Sequence, residues 1–222
     1  MSRGLFVSLE GTEGCGKSTQ SAWLVERLQR EGYRVRALRE PGGTPLGEEI
    51  RHTLKHSPAG HGMTPEAELL LMNAARAQLV REVIRPALDA GEVVVCDRFL
   101  DSTVAYQGWG RGLDPDRVRG VLDFAVGGTI PDLTLLFDVS AEVSALRRRG
   151  RESEMGRVTG GDRFEQEDTT FFERVAAGFR AIATAESRRV VVIDASPGVE
   201  AVAERVWMEV AAKLSDMSLD ED

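Results

Sequence analysis

The feature that most constrains this chain is the octapeptide Gly11-Thr12-Glu13-Gly14-Cys15-Gly16-Lys17-Ser18, a G-x-x-x-x-G-K-S pattern. It follows an apolar run, Leu5-Phe6-Val7-Ser8-Leu9, and precedes a segment in which Leu24, Val25 and Leu28 share one helical face. Strand, glycine turn and helix in that order is the setting in which the pattern does physical work. The glycines let successive backbone N–H groups turn inward, and the helix N-terminus adds its positive dipole end. Lys17 then reaches the β- and γ-phosphates of a nucleoside triphosphate, and the Ser18 hydroxyl ligates Mg2+. Gly11 through Thr19 is the expected triphosphate cradle.

The remainder of the chain alternates strand and helix signals. Val35 to Leu38 is a short strand broken by Pro41-Gly42-Gly43. Thr64-Pro65 reads as an N-cap followed by proline at the first helical position, opening a helix that runs to about Ala90 and is kinked by Pro86. Val93 to Cys96 is a continuous β-rich run of the kind found in buried parallel strands. Asp114-Pro115 starts a helix ending near Gly127-Gly128; Leu133 to Phe137 and Val190 to Ile193 are further strands. Ser196-Pro197 opens a last helix bearing Val199, Val202, Val206, Val210 and Leu214 on one face. Strands separated by helices imply right-handed crossovers. The expected fold is α/β, a P-loop NTPase-type parallel sheet of five strands flanked by helices on both faces. One domain over 1–215 is expected, with a mobile lid at approximately 147–163 and a disordered acidic tail at 216–222. Ligands in such a sheet bind at the carboxyl ends of the strands.

Bulk properties exclude some partners. The net charge of −8 offers no global basic field for nucleic acid or a membrane surface, so any bound anion must be gripped locally. No segment approaches the roughly 18–20 apolar residues that would span a bilayer, and no signal pattern opens the chain, which reads as cytoplasmic. Cys15 and Cys96 have neither metal-ligand nor disulfide spacing and read as reduced thiols. Both fall at strand ends, where they could approach each other.

Asp97 ends the Val93–Cys96 run, placed to hold a metal ion directly or through water, and Arg98 follows where it can lie between two phosphates. No Asn-Lys-x-Asp segment is present to read guanine. The modest length suits a kinase for a small acceptor, which needs arginines converging from several segments. Arg51, Arg76 and Arg98 are candidates, and Arg147, Arg148, Arg149 and Arg151 lead into a stretch containing Gly150, Gly156, Gly160 and Gly161 that reads as the lid.

Several segments carry a resemblance. They are the Leu9–Thr19 loop, Arg39-Glu40-Pro41-Gly42-Gly43-Thr44, Ala74 to Val80, Asp97-Arg98, Ser102 to Gly108 with Gly110-Arg111-Gly112, Pro131 to Thr134, and Asp162 to Glu165. Along nearly its whole length the chain resembles bacterial thymidylate kinases. The resemblance implies transfer of the γ-phosphoryl group of ATP to dTMP, with Mg2+, by a homodimer joined through long helices. It implies that Glu13 contacts the sugar 3′-hydroxyl, that Arg51 and Arg98 hold the acceptor phosphate, and that Arg76 donates to the thymine carbonyl. Thr103 and Gln107 would contact the base, Ser102 would join the same site, and the Tyr106 ring would crowd the sugar 2′ position and favour deoxyribose.

Lys17, Arg98 and the lid residues Arg151 and Arg149 would then carry catalysis. Two positions depart from the family pattern. Met72 stands where the family usually stacks a phenylalanine on thymine, and Cys15 stands where one branch has an arginine in the phosphate loop. The competing readings are a kinase for another nucleotide or a deoxynucleoside, and a regulatory NTP-binding switch.

Overall fold

The computed structural model describes residues 3–140, 142–144, 146–147, 163–164 and 167–219. Five strands form one parallel sheet: β1 (Phe6–Gly11), β2 (Val35–Arg39), β3 (Val93–Asp97), β4 (Leu133–Asp138) and β5 (Val190–Asp194), in the order β2-β3-β1-β4-β5. β1 is central, and Leu9 pairs with Asp97 of β3 while Gly11 pairs with Phe137 of β4. That register brings the phosphate loop, Asp97 and the turn after β3 to one edge of the sheet.

The apolar runs of β1 and β3 are buried on both faces, and alternate residues feed two cores. Val7, Leu9, Val93 and Val95 pack with Leu24 and Leu28 of α1 (Lys17–Arg30) and with Val202, Val206 and Val210 of the last helix. Phe6, Val94 and Cys96 face the opposite way, onto Leu69, Leu79, Ile84 and Leu122. Cys15 belongs to the first core and Cys96 to the second, both as free thiols, so the sheet lies between two cysteines whose strand-end positions could have let them approach.

The cap signals act as the side chains dictate. Thr64 accepts from the Ala67 amide at the start of α3 (Pro65–Leu79), and Asp114 accepts from the Arg117 amide at the start of α6 (Pro115–Val126). The rod expected to kink at Pro86 is widened one turn earlier. Val80–Ile84 form a π-turn between α3 and α4 (Arg85–Asp89), and Pro86 falls in the first turn of α4. A proline lacks the N–H that would bond four residues back, and the wide turn absorbs that loss.

Two helices were not anticipated. α2 (Pro45–Lys55) is capped by Thr44, and α7 (Thr169–Ala185) by Asp168, whose carboxylate accepts from the Phe171 amide. Phe171, Val175, Phe179 and Ile182 recur at helical spacing along α7 and are buried. Between β3 and α6 lie α5 (Leu100–Thr103) and a second π-turn, Val104–Gly110. The last helix, α8 (Val199–Leu219), continues into the segment expected as a disordered tail. Among the described residues no helix is long and apolar enough to cross a membrane.

Candidate active site

At the carboxyl edge of the sheet, two adjoining clefts open. The first is polar, with about 690 Å3 of atom-free space, and is lined by Gly14, Gly16, Lys17, Ser18 and Thr19 together with Arg39, Arg51 and Asp97. Its shape is set by backbone. Gly11 has φ 139°, and a Cβ there would stand 2.5 Å from the Phe137 carbonyl oxygen and 2.9 Å from Cys15 Sγ, so no side chain fits. Lys17 Nζ donates to the carbonyls of Gly11 (3.1 Å) and Thr12 (2.9 Å), which holds the ammonium over the loop.

Ser18 Oγ donates to Asp97 Oδ2 at 2.9 Å. These are hard oxygen donors, the kind Mg2+ takes. Among the described residues no cluster of three or more His, Cys, Asp or Glu forms a metal cage. The Ser18 hydroxyl and Asp97 carboxylate are oxygen donors that fit an ion completed by nucleotide phosphates and water. Arg51 Nη1 donates to the Pro41 carbonyl at 2.9 Å from α2, on the far wall of this cleft. Arg147 is drawn against the loop, donating to the carbonyls of Ala195 (2.9 Å) and Cys15 (3.5 Å). Arg148, Arg149 and Arg151 lie outside the described residues.

The second cleft, with about 470 Å3 of atom-free space, is lined by Pro41, Met72, Arg76, Ser102, Thr103, Tyr106, Gln107 and Phe164. It gathers the residues expected around the base. Tyr106 is fixed by aromatic edges: Phe164, Phe171 and Phe179 all lie with ring centroids 6.0–6.3 Å from it. Met72 packs against the same cluster, so thioether and Phe164 ring share the cleft.

Arg76 is buried, and all five of its N–H groups already have partners. Nε and Nη2 both donate to Glu40 Oε2 (2.8 and 2.6 Å), Nη1 to Asn73 Oδ1 and Thr103 Oγ1 (2.9 Å each), and Nη2 also to the Phe99 carbonyl (3.1 Å). A base carbonyl in this cleft would have to share one of those donors. Glu40 Oε1 is buried with no hydrogen-bond partner, and burial pushes this carboxyl up while Arg76 pulls it down. Gln107 Nε2 donates to Glu68, a fully buried acid that also takes Arg111 and Arg163.

Glu13, Glu40, Lys55 and Arg98 line both clefts and form the wall between them. Arg98 has φ 70°, the left-handed region, and is the one non-glycine residue there among those described. Its guanidinium donates to Glu13 Oε1 (2.7 Å), the Gly11 carbonyl (3.0 Å), Ser102 Oγ (3.0 Å) and Tyr106 Oη (3.2 Å). Burial raises the Glu13 carboxyl, but the charges of Arg98, Lys17 and Lys55 outweigh it and leave the pKa at about 2. Glu13 is thus a fixed anion between the clefts.

Sequence reasoning missed Glu40, Lys55, Glu68 and Phe164. Glu40 and Phe164 sit inside segments that carried the resemblance, and Lys55 is one of only three lysines, so signals were present. Glu68 stands in the first turn of α3, where an acid ordinarily faces solvent, and no local pattern signals its burial.

A polar cleft built on a phosphate loop, joined by an arginine-bearing wall to an apolar slot, is a two-substrate arrangement. Comparison with known proteins gives the family. The family model described as Thymidylate kinase matches residues 9–206. A thymidylate kinase of Synechococcus sp. (strain JA-3-3Ab) is 50% identical over 210 residues, covering 95% of this chain and 97% of that one. One from Pseudomonas fluorescens (strain SBW25) is 51% identical over 193 residues, covering 87% and 88%. The crystal structure of thymidylate kinase from Ehrlichia chaffeensis superimposes with a TM-score of 0.74 at 31% identity, covering 94% of this chain and 99% of that one. With the family model, the relatives' sequences and a solved structure all matching over most of its length, the chain belongs to the thymidylate kinase family.

Proposed function

We propose that this chain transfers the γ-phosphoryl group of ATP to dTMP across the wall formed by Glu13, Glu40, Lys55 and Arg98. The observation that carries the reading is that wall: the same side chains face both clefts, so groups bound on either side meet there. ATP phosphates occupy the polar cleft, on the loop amides and Lys17. The thymine ring occupies the apolar cleft between Met72, Tyr106 and Phe164, with its edge toward Arg76, Thr103 and Gln107. Glu13 takes the sugar 3′-hydroxyl, the Tyr106 ring excludes a 2′-hydroxyl, and Arg51, Arg98 and Ser102 meet the acceptor phosphate.

The chemistry asks little of a base. The second pKa of a phosphate monoester is about 6, so at neutral pH the acceptor oxygen is largely ionised. Positioning and charge neutralisation do the rest. Arg98, anchored at four points, is held for that task before substrate arrives. Ser18 and Asp97 would hold Mg2+, which would supply Lewis-acid charge to the nucleotide phosphates. Arg151, with Arg149 as its neighbour, delivers the lid charge; unchanged kcat in Arg151→Ala would move that role to Arg149.

The homodimer joins through α3 and α6, which present Leu70 (58% exposed) and Phe124 (83% exposed) to solvent. A single 24.3 kDa species in sedimentation at micromolar concentration would overturn this. Two unpaired buried thiols suit a cytoplasmic setting.

The test is ADP formation measured across acceptors. Transfer to dTMP exceeding dCMP, UMP, dGMP and thymidine by orders of magnitude is the expected result. Dominance of another acceptor would reassign the substrate, and slow ATP hydrolysis indifferent to all acceptors would indicate a nucleotide switch.

A further inference from the structure

Glu10, the last side chain of β1 before the phosphate loop, is fully buried and touches neither cleft. Its partners lie elsewhere. Oε1 accepts from the Phe99 amide at 2.7 Å, and Oε2 meets Ser102 Oγ at 2.5 Å. Both contacts bear on Arg98. The left-handed backbone at Arg98 is bracketed by three bonds: its own N–H to the Leu9 carbonyl, its carbonyl accepting from Cys96 Sγ, and the next amide, Phe99, on Glu10. Such a conformation persists only when its surroundings over-determine it. The Arg98 guanidinium is then oriented by Ser102, whose oxygen accepts from Arg98 Nη1.

The direction of the Ser102 bond matters. An ionised carboxylate is acceptor-only, so Ser102 must give its proton to Glu10 and keep a lone pair for Arg98. We propose that Glu10 is the positioning residue for the acceptor-phosphate end of the dTMP site, fixing Arg98 by backbone through Phe99 and by side chain through Ser102. The inference rests on the kinase reading above.

Glu10→Gln keeps the shape and the Phe99 acceptor but reverses the second bond. The amide N–H donates to Ser102, and the hydroxyl loses the acceptor that fixed its proton away from Arg98. Protonation of Glu10 does the same. Burial, then the facing Asp101, push the Glu10 carboxyl up to about 7 against Arg98, Ser102 and the Phe99 amide, with Arg189 and Cys96 also nearby. An ionised Glu10 therefore costs the fold stability that its neutral isostere does not.

Three readouts on the purified enzyme test this, with wild-type dTMP turnover as the control for the kinase reading itself. Glu10→Gln should lose roughly 10- to 100-fold in kcat while its Tm at pH 8 rises above wild type. In a Ser102→Ala background, Glu10→Gln should cost little more, because the intermediary is gone. The acidic limb of kcat near pH 7 in wild type should disappear in Glu10→Gln. Wild-type kcat in Glu10→Gln, a fall in Tm that tracks the fall in activity, or full additivity with Ser102→Ala would each overturn the proposal. An inactive wild type would instead refute the kinase reading.

Discussion

The two clefts are made in opposite ways. The floor of the polar one is written in a single stretch, Gly11 to Thr19, whose backbone turns shape it, while Arg39, Arg51 and Asp97 close it from other segments. The apolar one is assembled from α3, the turn after β3, the second π-turn and Phe164, and its donors are side chains already bonded to one another. A backbone cradle binds any triphosphate, because every peptide has the same N–H. A side-chain slot can choose among bases, and the choice depends on partners far apart in sequence.

The largest expected effect lies on the polar side. Lys17→Ala should lower kcat by about 10³-fold or more with the fold intact by circular dichroism, since its contacts to Gly11 and Thr12 are local. Residual activity within tenfold of wild type would mean that the arginines alone carry the phosphate charge.

Next is Arg76→Ala, which removes one base-facing donor and strands Glu40 and Thr103. A charged hydrogen bond is worth roughly 1.5–3 kcal/mol, so dTMP KM should rise about 10- to 150-fold while ATP KM holds. Equal effects on both would erase the division of labour between the clefts. Met72→Phe should act the other way and more gently. An added ring pair is worth about 0.5–1.5 kcal/mol, which lowers dTMP KM by roughly two- to tenfold. No change would mean that Phe164 already saturates the aromatic wall.

The smallest effect is on stability. The folded Glu13 carboxyl titrates at about 2 against an ordinary 4.5. Its stabilisation is full above pH 4.5 and is lost as pH falls toward 2. Glu13→Gln should lower Tm modestly at pH 6, with the difference vanishing near pH 2. A constant difference across that range would remove the ion pair with Arg98 as its cause.

The same contrast explains what the sequence disclosed. The phosphate loop, the strands and the caps Thr64 and Asp114 are local devices, so their residues announce them. α2 was hidden because its cap, Thr44-Pro45, follows directly on the Pro41-Gly42-Gly43 break and was not separated from it. α7 lacks the proline that marked its neighbours. The burial of Glu68 and the saturation of Arg76 are tertiary facts: each depends on partners roughly 30 to 100 residues away, and nothing in the local pattern encodes them.

The partition between the clefts has a thermodynamic corollary. A ligand on one side perturbs charges that the other side also feels, since Glu13, Lys55 and Arg98 serve both. The affinities for nucleotide donor and acceptor must then be linked, each altering the other by an equal factor. A non-hydrolysable ATP analogue would shift the dTMP dissociation constant by the same ratio in which dTMP shifts that of the analogue.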